Sequence, residues 1–253
     1  MYLIDTHSHL FLEEFDNDRK EVIERSIYQG IKKMILPNVD RITLKPMLEA
    51  VDINPEALFP AIGVHPCSIK EGFEEELKLL KILLTLRKYI AIGEIGLDLY
   101  WDKTFYAEQV IALEEQINWA LDLNLPVILH CRETLDQTIE IVRKYKNLKG
   151  VFHAFTGNES QAKEIVEMGF YLGIGGVVTF KNSGLDKVVP SIPINNIVLE
   201  TDSPYLTPTP FRGKRNEPLY VKLIAEKLAA LHNLTIDEVT KATTQNAENL
   251  FKI

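Results

Sequence analysis

Short apolar runs alternate with longer stretches of helical periodicity along the whole chain. Runs of strand length fall at residues 2–6, 34–36, 58–64, 90–94, 126–130, 150–153, 170–174 and 197–202. Most are apolar throughout, as expected of strands covered on both faces of a parallel sheet. Between them, apolar residues recur three or four apart at 18–30 (Val22, Ile23, Ile27), 42–51, 74–89, 105–123, 134–145, 160–168, 185–189 and 219–231. That is the spacing of one helix face. Boundary residues agree: Gly30 fits a helix C-terminus, Pro37-Asn38 closes the second run, and Thr235 with Glu238 makes a capping box that opens a last helix running to about residue 250. Eight β units, each followed by a helix, predict an α/β fold: a TIM-like (β/α)8 barrel spanning residues 1–253 as a single domain. A doubly wound open sheet is the competitor, but no Gly-x-Gly-x-x-Gly follows the first run.

In such a barrel the functional residues lie at the C-terminal ends of the strands. His7 and His9 follow the first run, His65 the third, Glu94 the fourth, His130 the fifth, His153 the sixth and Asp202 the eighth. Of the six histidines only His232 falls in a helical stretch. Residues two apart in a strand share a face, so Asp5, His7 and His9 are expected to point together. A mixed histidine and carboxylate set suits Zn, Mn or, where carboxylates dominate, Mg. His7, His9, His130, His153, Glu94 and Asp202 are more donors than one tetrahedral ion needs. Two divalent ions sharing Glu94 are therefore expected, with Mg as the functional ion and Zn or Mn as alternatives. A carboxylate can bridge two ions with its two oxygens, and Asp202, as a terminal ligand, can take a proton from an attacking water.

The 253 residues are enough for one barrel with a sizeable core. Cys67 and Cys131 make no Cys-x-x-Cys pair or disulfide framework, and no apolar run reaches the roughly 18 residues of a membrane span. With no signal-peptide pattern at residue 1, a cytoplasmic protein without membrane contact is expected. The formal net charge of −8 argues against a protein that coats nucleic acid. It leaves room for an enzyme of phosphodiesters whose positive field is local, supplied by metal ions and by the cluster Arg212, Lys214 and Arg215.

Seven segments, in order, resemble the TatD family of metal-dependent deoxyribonucleases. They are Leu3-Ile4-Asp5-Thr6-His7-Ser8-His9, Gly63-Val64-His65-Pro66, Gly93-Glu94-Ile95-Gly96-Leu97-Asp98, Pro126-Val127-Ile128-Leu129-His130-Cys131-Arg132-Glu133-Thr134, His153-Ala154-Phe155, Leu199-Glu200-Thr201-Asp202-Ser203-Pro204 and Arg212-Gly213-Lys214-Arg215-Asn216-Glu217-Pro218. One departure is Phe11, where the family more often carries Asp or Asn. The resemblance implies a TIM-like barrel, one or two divalent ions and hydrolysis of DNA phosphodiesters. It carries ligand roles onto His7, His9, Glu94, His130, His153 and Asp202, and makes His65 a contact for the substrate phosphate. The expected enzyme is a 3′-5′ exonuclease, working as a monomer on single-stranded DNA or frayed ends, by attack of metal-activated water at phosphorus.

Other residues carry two readings each. Glu200 and Asp5 precede ligands by two and either orient histidines or knit the barrel. Cys131 alternates with His130 and Arg132 and reads as packing. Arg132 either binds phosphate or pairs with Asp98 or Glu133. Lys214 either meets the phosphate backbone or is a solvated loop residue. Tyr100 and Trp101 either stack on a base or pack beneath a loop. Two rivals stand beside the nuclease. An amidohydrolase-type enzyme of cyclic amides or esters would share the His-x-His barrel, but many such enzymes bridge their ions with a modified lysine where this chain has Glu94. The other is a metal-binding barrel that only serves as a partner in a complex.

Overall fold

The computed structural model describes residues 1–253. Eight parallel strands alternate with helices: β1 Leu3–Asp5, α1 Arg19–Tyr28, β2 Ile31–Pro37, α2 Arg41–Ile53, β3 Leu58–Ala61, α3 Phe73–Leu83, β4 Ile92–Asp98, α4 Tyr106–Leu123, β5 Val127–Arg132, α5 Leu135–Val142, β6 Gly150–Phe152, α6 Glu159–Glu167, β7 Tyr171–Ile174, α7 Leu185–Val188, β8 Ile197–Leu199, α8 Val221–His232 and α9 Ile236–Phe251. The strands pair in two ladders, β1-β2-β3 and β4-β5-β6-β7-β8. Single bridges join the ladders into a ring: Ile62 with Ile92 on one side, Ser8 with Ser203 on the other. Across the second seam Asp202 N donates to His7 O at 2.9 Å and His9 N to Ser203 O at 2.8 Å. The segments that carry His7, His9 and Asp202 are thus hydrogen-bonded to each other through their backbones, with Ser8 Oγ and Ser203 Oγ 2.8 Å apart beside them. No helix is long and apolar enough to cross a membrane.

Ile4, Ile35, Ala61, Ile128, Val151 and Val198, from six strands, belong to one apolar cluster with Ala247, Leu250 and Phe251 of α9. No residue of α1 to α8 enters that cluster, so it fills the inside of the barrel, with the end of α9 as its floor. Two residues further along the same faces come His130 after Ile128, His153 after Val151, and Glu200 then Asp202 after Val198. The period of two that points the lower layer inward also points these polar groups inward, one layer up. The outward faces pack under the helices in a second and larger cluster.

Element boundaries differ from expectation where backbone partners decide them. β4 does not stop at Glu94 but runs on to Asp98, because β5 supplies partners from Leu129 to Arg132. The register shifts between Ile92 and Ile95, a local bulge of the kind that re-aims a side chain. β8 ends at Leu199; Glu200 N still donates to Ile174 O of β7, whereas Thr201 N and Asp202 N bond across the seam to Asp5 Oδ1 and His7 O. α3 ends at Leu83, six residues short of the apolar pattern. Caps match their helices: Asp40 with Thr43, Asn158 with Gln161 and Thr235 with Glu238 each close a capping box.

The long loop after β8 is tied to α1 by charge. Arg215 reaches Asp18 at 2.7 Å and Glu217 at 3.1 Å, and Arg25 reaches Glu217 at 2.7 Å and Asp18 at 3.1 Å. The hydrogen bond from Arg215, with burial opposing and Arg25 assisting, holds the Asp18 carboxyl down to about 2 against an ordinary 3.8. A depressed carboxyl stabilises the fold above its unfolded value and loses that contribution as pH falls through the folded one. Asp18→Asn is therefore expected to lower Tm near neutral pH, and its gap from the native chain should close as pH drops from about 4 to about 2. Thermal melts followed by circular dichroism check this; a gap that persists unchanged to the acid end would show that the pair contributes nothing.

Candidate metal centre

Glu94 is 3 % exposed and both its oxygens are surrounded by imidazoles. Its Oε2 lies 3.3 Å from His7 Nε2 and 3.7 Å from His9 Nε2. Those two nitrogens are 3.1 Å apart, and Asp202 Oδ1 stands 3.4 Å from His9 Nε2 and 3.8 Å from His7 Nε2. Donor atoms of His7, His9 and Glu94 thus lie within 4.8 Å of one another, with Asp202 against the two imidazoles. The distances run from 3.1 to 3.8 Å, around the roughly 3.3–3.4 Å between donors of an ideal tetrahedron with bonds of about 2.0–2.1 Å. Glu94 Oε1 faces the other way, 2.8 Å from His130 Nδ1, 3.1 Å from His153 Nε2 and 3.5 Å from His65 Nε2. One carboxylate therefore joins two donor groups.

Partners on the far side of each ring set which nitrogen is free. His9 Nδ1 donates to Pro37 O at 3.2 Å, leaving the Nε2 lone pair inward. His153 Nδ1 lies 3.2 Å from Glu200 Oε1, which also accepts from Ala154 N at 2.5 Å. Glu200 thus serves both readings: it holds the backbone at Ala154 and flanks the His153 ring as an ion-pair partner, without a hydrogen bond to Nδ1. Asp5 does the other job: it accepts from Thr201 N and Oγ1 and from His7 N, so it knits the seam and touches no imidazole. His65 differs from the rest. Its Nδ1 accepts from Cys67 N at 3.1 Å, so the neutral ring carries its proton on Nε2, the atom facing Glu94. That makes it a donor to an oxygen rather than a free lone pair.

The charge of the cluster calls for a cation. Burial raises the Glu94 carboxyl, but His153, His65, His7 and the hydrogen bond from His130 outweigh it and hold the group well below the usual carboxylate range. Burial pushes His153 down, yet Glu94 and Glu200 lift it well above the ordinary imidazole value, and His130 is lifted against its burial by Asp98 and Glu94. His7 is lowered, by burial first and then by His153. Glu94 and Asp98 thus keep their charge, with the compensating protons drawn onto His153 and His130. Divalent ions would replace those protons, and the inward nitrogens of His7, His9 and His153 suit them. The residues present fit metal.

All six expected ligands converge on this point, and His65 stands at its edge. Arg132 lines the 760 Å³ cleft above it, but pairs with neither Asp98 nor Glu133: its guanidinium lies 3.6 Å from the centre of the Tyr100 ring. Lys214 is exposed on the loop after β8, 5.6 Å from the Phe211 ring, and does not line the cleft. Cys131 is half-buried with its thiol pushed up by burial to about 12, consistent with packing. Asp98 was not among the expected site residues. Its Oδ2 lies 2.9 Å from His130 Nε2, on the side away from Glu94. Gln109 of α4 holds its backbone, accepting from Asp98 N at 2.9 Å and donating to Asp98 O at 3.1 Å. Two turns on, Gln116 does the same for Val64, beside His65. Alternation could have revealed Asp98, since it shares the face of Glu94, had the strand been continued past Glu94.

A fold of this kind with this donor set defines a metal-dependent hydrolase. The family model of the TatD related DNases matches residues 4–252, and the chain belongs to that family. It is 41% identical over 254 residues to YabD of Bacillus subtilis, described as an uncharacterized metal-dependent hydrolase, covering 99% of both chains. The crystal structure of the TatD homologue YjjV from Escherichia coli superposes with a TM-score of 0.93 at 31% identity, over 99% of this chain and 98% of that one. A protein of Pantoea vagans named 3′-5′ ssDNA/RNA exonuclease TatD is 29% identical over 259 residues, covering 99% of this chain and 100% of its own.

Asp98→Asn keeps the size of the side chain but removes the carboxylate that orients His130. Removal of such a partner costs about 10–100-fold in metal affinity. A loss of that size is expected for the His130 side of the site in a calorimetric titration with Mn²⁺ or Zn²⁺. An unchanged affinity would mean that His130 is oriented by other contacts.

Proposed function

We propose that this chain is a deoxyribonuclease that releases nucleotides from the 3′ end of single-stranded or frayed DNA, using two divalent ions of which Mg is the functional one. The observation that carries this reading is the two-sided Glu94, with His7 and His9 around one oxygen, Asp202 against those two rings, and His130 and His153 around the other oxygen. Two-ion sites serve displacement at phosphorus, where attacking and leaving oxygens both need stabilisation. The name of the Pantoea relative supports the polarity and the single-stranded substrate. No lysine lines the cleft, which disfavours the amidohydrolase alternative built on a bridging lysine.

Bound divalent ions would supply Lewis-acid polarisation and a water of lowered pKa. The chain's own residues do the rest. Asp202 is held ionised against its burial by His9, His153 and His7, and accepts a proton from the attacking water. His65 donates its Nε2 proton to a phosphate oxygen, because Cys67 N fixes the tautomer. Arg132 offers its unpaired planar fork to a phosphate at the mouth of the cleft. Lys214, on the outer loop, is assigned to a phosphate further along the strand. In this reading the enzyme is a cytoplasmic monomer.

The test is release of label from a 3′-end-labelled single strand with Mg²⁺, with Mn²⁺ and with chelator. Metal-dependent release is expected, and Glu94→Gln and Asp202→Asn should each reduce it by roughly 10²–10³-fold, the scale of losing one preorganised transition-state contact. Undiminished turnover in both variants would overturn the assignment, as would release that chelator does not stop.

A further inference from the structure

Above the metal centre, the loop after β4 carries two aromatic side chains with no part in the hydrolytic step, Tyr100 and Trp101, beside Arg132 at the end of β5. Tyr100 and Trp101 meet edge to face, their ring centroids 4.8 Å apart at 89°. The Arg132 guanidinium lies 3.6 Å from the Tyr100 centroid and 5.4 Å from that of Trp101. Its candidate anionic partners are engaged elsewhere, Asp98 with His130 at 2.9 Å and Glu133 with Lys103 at 4.0 Å. Aromatic residues that pack beneath a loop are covered, whereas Trp101 is 72% exposed and Tyr100 49%. Both Trp101 and Arg132 line the cleft that holds Glu94 and Asp202.

This group is fixed to the metal centre through one carboxylate. Asp98 Oδ2 contacts His130 Nε2 at 2.9 Å, and Asp98 Oδ1 accepts from Tyr100 N at 2.9 Å. On the neighbouring strand Leu99 N donates to Arg132 O at 3.1 Å. Tyr100 and Arg132 are therefore tied to His130 by backbone and one short side chain. A flat cation resting on a ring, beside a free indole face, combines the two contacts that a nucleotide offers, a phosphate and a π-surface.

We propose that Tyr100, Trp101 and Arg132 form a subsite for one unpaired nucleotide flanking the scissile phosphate, with the free face of Trp101 stacked on the base and Arg132 on that nucleotide's phosphate. The proposal rests on the nucleic-acid reading above and deepens it, naming what selects a single strand. A base inside a duplex already has neighbours on both faces and presents none to Trp101, so the platform discriminates strandedness while tolerating any base.

Binding tests it apart from turnover. The native protein, loaded with Mg²⁺, is titrated with a short single strand whose 3′ linkages are phosphorothioates, and tryptophan emission is followed. Trp119 is buried at 2% exposure and supplies a constant background, so a change reports on Trp101. Quenching is expected with the plain strand, and much less with the same strand made abasic near its 3′ end or with a blunt duplex. By anisotropy of a labelled strand, Trp101→Ala should bind the plain strand about 5- to 150-fold more weakly, the measured range for losing one stacked base. It should bind the abasic strand as the native protein does, and Trp101→Phe should recover most of the loss. Equal affinity of Trp101→Ala and native protein for the plain strand would overturn the platform, as would full quenching by the abasic strand. If quenching follows the expected pattern but no metal supports cleavage of an unprotected strand, the platform stands and the nuclease reading falls. Cleavage without quenching has the opposite meaning.

Discussion

A buried carboxylate surrounded by imidazoles is the constraint around which the barrel mouth is built. Glu94 is nearly inaccessible to water, and no lysine or arginine reaches it. An unpaired anion in such a place is costly. It is kept charged by rings brought from β1, the segment after β3, β5 and the segment after β6, each close enough to share a proton or a cation. Everything else in the site follows from holding those rings at the right angle. Pro37 O orients His9, Glu200 orients His153, and Asp98 orients His130. The ligand set is thus wrapped in a second set of backbone and carboxylate acceptors, which fix tautomers that the ligands alone leave open.

The scaffold and the site are not separable. The seam that closes the barrel between β1 and β8 is made by the same segments that carry His7, His9 and Asp202. Asp5 and Thr201 lock it from beneath. On the other seam, α4 uses two buried glutamines to hold the backbone at Asp98 and Val64. Buried side-chain amides that satisfy backbone groups are a stiff form of attachment, because losing either partner strands a polar atom away from water. The loop after β8 is held differently, by charge pairs at the surface between Asp18, Arg25, Arg215 and Glu217.

Much of this was legible along the chain, for a simple reason. Strands covered on both faces must be apolar, so a polar residue at the end of such a run stands out, and in a parallel barrel all the ends lie together. Five histidines, a glutamate and an aspartate could be picked out by that rule, and all of them meet at the cleft. Where the rule failed, it failed at strand length. Ending the fourth run at Glu94 hid Asp98, because the Gly-Leu-Asp that follows reads as a turn, while in the barrel β5 supplies hydrogen-bond partners that keep it extended. Arg132 was legible as a cleft residue but not in its partner: local charge pointed to Asp98 or Glu133, and the ring of Tyr100 took it instead.

The order and type of residues along the chain determined the class of fold and which donor side chains stand at the strand ends, because periodicity and donor chemistry are local properties. Tertiary structure alone decided how the donors divide between the two oxygens of Glu94, since that depends on distances between strands far apart in the chain. It also decided the tautomers of His9 and His65, set by Pro37 O and Cys67 N, and the carboxylates that face His153 and His130, which no spacing rule connects to their histidines. The exposure of Trp101 belongs with these. Whether an aromatic is covered depends on what the rest of the rim leaves open, and that is a property of the closed barrel rather than of any segment of it.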